Sequence, residues 1–93
     1  MIDIRWSNRA RNEFFGVGRI YAGRDPTFEE RAQRRILAAV DLVIRYPRVG
    51  SIFRGVRRRR VGGAPFYIFF REVADHVEIV RILHIRSDWQ SML

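Results

Sequence analysis

The sequence predicts an α+β domain: a short N-terminal strand, an antiparallel two-helix hairpin, then a three-stranded antiparallel meander packed against the helices. Three observations predict it. Apolar residues recur at helical spacing between Ala10 and Ile44, the period drops to two beyond Gly55, and glycine, proline and Asp75 divide that second half into strand-sized runs. The 93 residues suffice for one hydrophobic core and not for two, so a single domain over 1–93 is expected.

In MIDIRW, Ile2, Ile4 and Trp6 alternate with polar residues as in a half-buried strand, which should join the sheet at an edge. Ser7 follows as a helix N-cap. Ala10, Phe14, Val17 and Tyr21 then form one helical stripe that should end near Gly23. Gly16 and Gly18 interrupt it, each costing about 1 kcal/mol against alanine, which calls for close helix packing or a locally weak element. No strand of the right kind precedes them and the third glycine of the motif is missing at its spacing, so they make no dinucleotide fingerprint. Asp25 and Pro26 read as the N-cap and first residue of a second helix, about three residues on. Phe28, Ala32, Ile36, Val40, Val43 and Ile44 carry its apolar stripe, and Glu29 and Glu30 suit its dipole. Tyr46-Pro47 stops it and a loop runs to Gly55. VRRRRV, FYIFFREV and HVEIVRILHI are the meander strands, separated by Gly62-Gly63 and by Ala74-Asp75.

Composition narrows the chemistry. Hydrophobic residues make up 47% and charged residues 30%, as in soluble globular proteins, and no apolar run approaches membrane-spanning length. The N-terminus lacks the apolar region of a signal peptide, and the absence of cysteine fits a reducing cytoplasm. Net charge is +8, with arginine as every one of the 18 basic residues. A guanidinium keeps its proton at ordinary pH, so proton transfer would fall to His76, His84, the tyrosines or the carboxylates. Such a chain calls for an acidic partner, either nucleic acid or an acidic protein.

In a strand the run Arg57 to Arg60 divides between two faces: Arg57 and Arg59 with Val61, Arg58 and Arg60 with Val56. The strand therefore lies near an edge or faces a polar groove. Its arginines serve either as a solvated guard against sheet-to-sheet aggregation or as a binding patch. If the last strand is regular, Val77, Ile79, Arg81 and Leu83 share one face and Glu78, Val80, Ile82 and His84 the other. Arg81, inside an apolar strand, would pair with Glu72, Glu78 or Asp88, or else serve a site. His84 and Arg86 stand at the accessible strand end, where a histidine is either a structural group or a proton carrier.

The segments ILAAVDLVIRYPRVGSIFRG, FYIFFREV and VEIVRILHIRSDW occur in an order that resembles the RelE/ParE superfamily of toxins from bacterial type II toxin–antitoxin modules. The likeness runs from about Trp6 to Trp89, and the ending matches a frequent I-x-R-[IV]-L-H-x-R-x-D pattern. It implies a toxin neutralised by a cognate acidic antitoxin, the product of a neighbouring gene, in a heterotetramer or higher assembly that meets DNA only indirectly. The long hairpin, the ending LHIRSDW, arginine where RelE proteins carry lysine, and Trp89 in the region of their C-terminal tyrosine favour the ParE-like branch. That branch inhibits DNA gyrase without chemistry of its own. The alternative is RelE-like, a ribosome-dependent mRNA endonuclease, with Arg59, Arg81, His84 and Arg86 as catalytic candidates. Arg57, Arg59, Arg71, Arg81, His84, Arg86 and Trp89 are the candidates for binding antitoxin or target. No metal or cofactor is implied. From a different class, a plain RNA-binding module would need Phe66, Tyr67 and Phe69 exposed for base stacking.

Overall fold

The computed structural model describes residues 3–21 and 27–93, with the backbone alone at 20 and 21. Strand β1 (Asp3–Trp6) leads into helix α1 (Asn8–Phe15) and a 3-10 helix (Val17–Tyr21); helix α2 (Phe28–Arg45) follows. Strands β2 (Ser51–Phe53), β3 (Val56–Arg60), β4 (Phe66–Val73) and β5 (His76–His84) precede a short helix α3 (Trp89–Met92). The five strands form one sheet in the order β1-β5-β4-β3-β2, antiparallel except that β1 lies parallel to β5 at the edge.

Ser7 makes the corner between sheet and helix. Its N–H donates to the Ile79 carbonyl (2.9 Å), its hydroxyl donates to the Val80 carbonyl (2.7 Å), and Oγ accepts from the Ala10 N–H (3.0 Å) as an N-cap. Helix α1 stops well short of Gly23. Gly16 caps it, donating to the Asn12 and Glu13 carbonyls, and the chain tightens into the 3-10 helix. A Cβ on Gly18 would lie 2.6 Å from the Glu29 carboxylate, so the first turn of α2 packs directly onto that glycine. Both explanations of the glycines thus hold, one at each position. The first helical element is consequently shorter than the stripe implied. The expected helix end at Gly23, the three-residue connection and the Asp25-Pro26 start lie outside the described residues. Helix α2 begins at Phe28 and ends at Arg45, before Tyr46-Pro47 as expected.

Three further departures concern the second half. The loop after Pro47 contains β2, joined to β3 by the two-residue turn Arg54-Gly55, both with positive φ (50° and 81°), a type I′ geometry. Helix α3 was not foreseen. Finally, β5 is not regular: Phe70 pairs with Ile79 and Phe69 with Arg81, leaving Val80 as a bulge. The extra residue moves Arg81 and Leu83 off the face of Val77 and Ile79 and brings Ile82 onto it, correcting the alternation expected for this strand.

The core lies between the helices and one sheet face, where Ile36, Val40 and Val43 of α2 meet Ile68, Phe70, Val77 and Ile79. A smaller cluster of Val56, Phe69, Leu83 and Trp89 occupies the opposite face. Phe69 and Phe70, adjacent and both fully buried, point into different clusters.

Candidate functional site

The opposite face, which α1 and α2 leave uncovered, is the candidate site. Strand β3 lies one position in from the sheet edge, and its alternation sends Val56, Arg58 and Arg60 to this face and Arg57, Arg59 and Val61 to the helix side. The Arg58 guanidinium stands 4.6 Å from the Tyr67 ring centroid and 4.8 Å from that of Trp89. Cation–π contacts of this kind contribute about 1 kcal/mol each. Trp89 is held in turn by edge contacts with Phe53 (5.3 Å) and Tyr67 (5.8 Å) and a tilted contact with Phe69 (5.5 Å).

Helix α3 is too short to place Trp89 by itself. Arginines from three-dimensional neighbours hold its carbonyls: Arg54 Nη1 donates to the Gln90 and Leu93 carbonyls at 3.4 Å, and Arg81 Nη1 donates to that of Met92 at 2.9 Å. Arg81 is 9% exposed. The rest of its guanidinium is taken by Glu13, through Nε to Oε1 and Oε2 (3.1 and 3.0 Å) and Nη2 to Oε2 (2.7 Å). Glu13 Oε1 also accepts from the Ile82 N–H at 3.0 Å, beside the bulge. The carboxylate expected from Glu72, Glu78 or Asp88 therefore comes from helix α1 instead. Arg81 is an internal clamp joining α1, β5 and α3.

The remaining sequence candidates do not converge. Arg71 shares the open face and is paired with Glu78 (3.0 Å). On the helix side, Arg57 donates to the Gly50 carbonyl (3.4 Å), while Arg59 Nη1 is buried and has no hydrogen-bond partner among the described residues. His84 also lies on the helix side, its ring 5.6 Å from Phe66. Burial, and secondarily the charge of Arg86, lowers its pKa, so it is neutral at pH 7. Its Nδ1 accepts the Arg86 N–H (3.0 Å), while the Arg86 side chain is exposed in the following turn. Among the described residues no group of three His, Cys, Asp or Glu side chains is placed to hold a metal, and no helix is long and apolar enough to cross a membrane.

Sequence reasoning missed Arg58, Arg54 and Glu13 as site residues and named Tyr67 only for the RNA-stacking alternative. Arg58 was on the correct face with Val56, but which face lay open depends on where the helices pack. Glu13 had a faint signal as the sole carboxylate in α1.

The basic sheet is thus backed by two helices and carries an arginine–tryptophan stack on its other face. Residues 4–89 match the family model of the ParE toxin of type II toxin–antitoxin system, parDE, and the chain belongs to that family. A curated relative from Sinorhizobium fredii (strain NBRC 101917 / NGR234), named "Putative toxin Y4kP", is 29% identical over 92 residues, covering 97% of this chain and 95% of that protein. The fold also matches a chain from the chromosomal ParDE TA system of P. aeruginosa, with a TM-score of 0.72, 22% identity and coverage of 90% of this chain and 96% of that one. A YoeB/ParE toxin from Agrobacterium tumefaciens matches with a TM-score of 0.65 and 13% identity, covering 89% of this chain and 98% of that one.

Proposed function

We propose that this ParE-family toxin inhibits DNA gyrase through its open sheet face and is held inactive in the cytoplasm by a cognate acidic antitoxin, in a heterotetramer or higher assembly. One observation carries the choice of binding over chemistry. The best-suited proton carrier among the candidates, His84, lies on the helix side of the sheet, where Arg57 is tied to the Gly50 carbonyl and the Arg59 Nη1 is buried, whereas Arg58 and Trp89 lie on the other. A nuclease needs its base and its phosphate-stabilising cations around one reacting phosphate. A poison that clamps its target needs only shape, charge and a buried aromatic anchor. The RNA-stacking alternative loses its support as well, because Phe66 and Phe69 are buried and Tyr67 is covered by Arg58.

The test is direct. Purified protein, incubated with gyrase, ATP and supercoiled plasmid, should raise the yield of linear DNA after detergent and protease treatment. Unaffected gyrase together with mRNA cleavage on ribosomes would replace this reading with the RelE-like one.

A further inference from the structure

The connection between β3 and β4, VGGAP, carries polar groups that neither face of the sheet uses. Ala64 is only 9% exposed, yet its N–H meets no acceptor among the described residues, and those of Gly62 and Gly63 meet none either. Buried backbone donors are nearly always paired, with protein, water or a ligand. Gly63 has a φ of +77°, and turns of this kind gather successive N–H groups into anion-binding concavities. Gly63 and Ala64 form one wall of a hollow of about 240 Å³, and Phe28, Arg31, Ala32 and Arg35 of α2 form the other.

Arg35 is seated against that turn. A Cβ on Gly63 would lie 3.1 Å from Arg35 Nε and 3.2 Å from its Cζ, so the guanidinium packs where any other residue would carry its side chain. Arg34 and Arg45 on the same helix pair with Glu30 and Asp41, whereas Arg35 has no carboxylate partner among the described residues. No carboxylate lines the hollow there either, and Arg31, one helical turn earlier, does. The hollow is smaller than the roughly 300–1,000 Å³ of sites for organic ligands, which selects a compact anion. Guanidinium groups on one wall and N–H groups on the other suit the tetrahedral oxygens of a phosphate better than the planar pair of a carboxylate. We infer that this hollow binds a phosphate group, supplied by the DNA backbone or by a small phosphorylated solute. It lies on the side of the sheet opposite Arg58 and Trp89, so its occupancy leaves the open face free. The inference is independent of the target that the open face takes.

Inorganic phosphate, titrated into the ¹⁵N-labelled full chain at fixed ionic strength, should shift the amide resonances of Gly62, Gly63 and Ala64 and that of Arg35 Nε. Arg35→Met should weaken the binding at least about tenfold, as loss of a charge-assisted hydrogen bond does. Arg34→Met removes the same charge from a paired neighbour and should change it less than about twofold, because an exposed charge is screened. Both positions are exposed, and circular dichroism checks that both variants fold. Anisotropy of a labelled DNA duplex against salt separates the two sources. A log–log salt slope smaller by about one in Arg35→Met alone assigns the phosphate to DNA; an unchanged slope with phosphate binding lost assigns it to a small solute. Phosphate that shifts nothing at residues 62–64 overturns the proposal without recourse to any variant. Equal losses in both variants, the mark of diffuse attraction by net charge, overturn it too, as does succinate binding as tightly as phosphate.

Discussion

The two faces of the sheet use the same residue types in opposite ways. On the helix side, fifteen buried hydrophobic residues among those described, from α1, the 3-10 helix, α2, β4, β5 and the β3–β4 connection, make a conventional core, and the arginines that point there contribute little to it. On the open face only four buried hydrophobic residues gather among those described, Trp89 one of them, and there Arg54 and Arg81 fix the short helix that supplies the tryptophan. Apolar area stabilises the first face. Directed hydrogen bonds to carbonyls organise the second, which makes it sensitive to single substitutions that leave the main core intact.

The largest effect should come from breaking the clamp between the faces. Arg81→Ala leaves the half-buried Glu13 without its partner beside an apolar strand, and loss of one partner of such a pair costs about 3 kcal/mol in urea unfolding. Replacing both with apolar residues of similar size, Glu13→Leu with Arg81→Met, should recover most of that stability, because neither charge is then stranded. The double variant still lacks the donor to the Met92 carbonyl, so Trp89 should stay more accessible to acrylamide in a Trp6→Phe background. Trp89 fluorescence identical to that of the parent would show that the clamp does not position it.

Next in size is a contrast between neighbours on β3. Arg58→Met keeps the aliphatic stem but deletes two cation–π contacts, a loss of about 1–2 kcal/mol, and should abolish most of the effect on gyrase. Arg59→Met removes a buried N–H that has no partner among the described residues. It should leave stability unchanged or raise it by up to about 1–3 kcal/mol, with toxicity retained. Equal losses from both substitutions would erase the distinction between the faces.

This contrast also shows what the sequence could and could not reveal. Period and punctuation disclosed β1, α2 and the three long strands, because each depends on local pattern. The division of the arginine run was legible for the same reason. Which half faced the open side was not, since that depends on α2 packing against Ile68 and Phe70, a non-local event. The bulge at Val80 has no glycine or proline to mark it, and it relocated Arg81 and Leu83. Glu13 is separated from Arg81 by 68 residues, so no spacing rule could have joined them. Helix α3 has only four residues and depends on arginines from elsewhere for its carbonyl partners.

The smallest expected effect tests the helix-side position of His84. Burial, with help from Arg86, lowers its pKa below the 6.5 of an unperturbed histidine. The unfolded chain therefore binds a proton here more readily than the folded one. Well above pH 6.5 neither state is protonated at this group and His84 contributes no pH dependence. As pH falls from 6.5 toward the lower folded value, the unfolded state gains protons first and stability declines; below the folded value the decline ceases. His84→Gln should remove that component of the acid-side slope while leaving stability at pH 8 nearly unchanged, provided the amide oxygen still accepts the Arg86 N–H. Urea midpoints measured between pH 5 and 8 decide the matter: parallel curves for variant and parent would mean that the ring is not desolvated against Phe66. The imidazole would then be as accessible as a catalytic base requires, and the case for a binding face without chemistry would lose its main support.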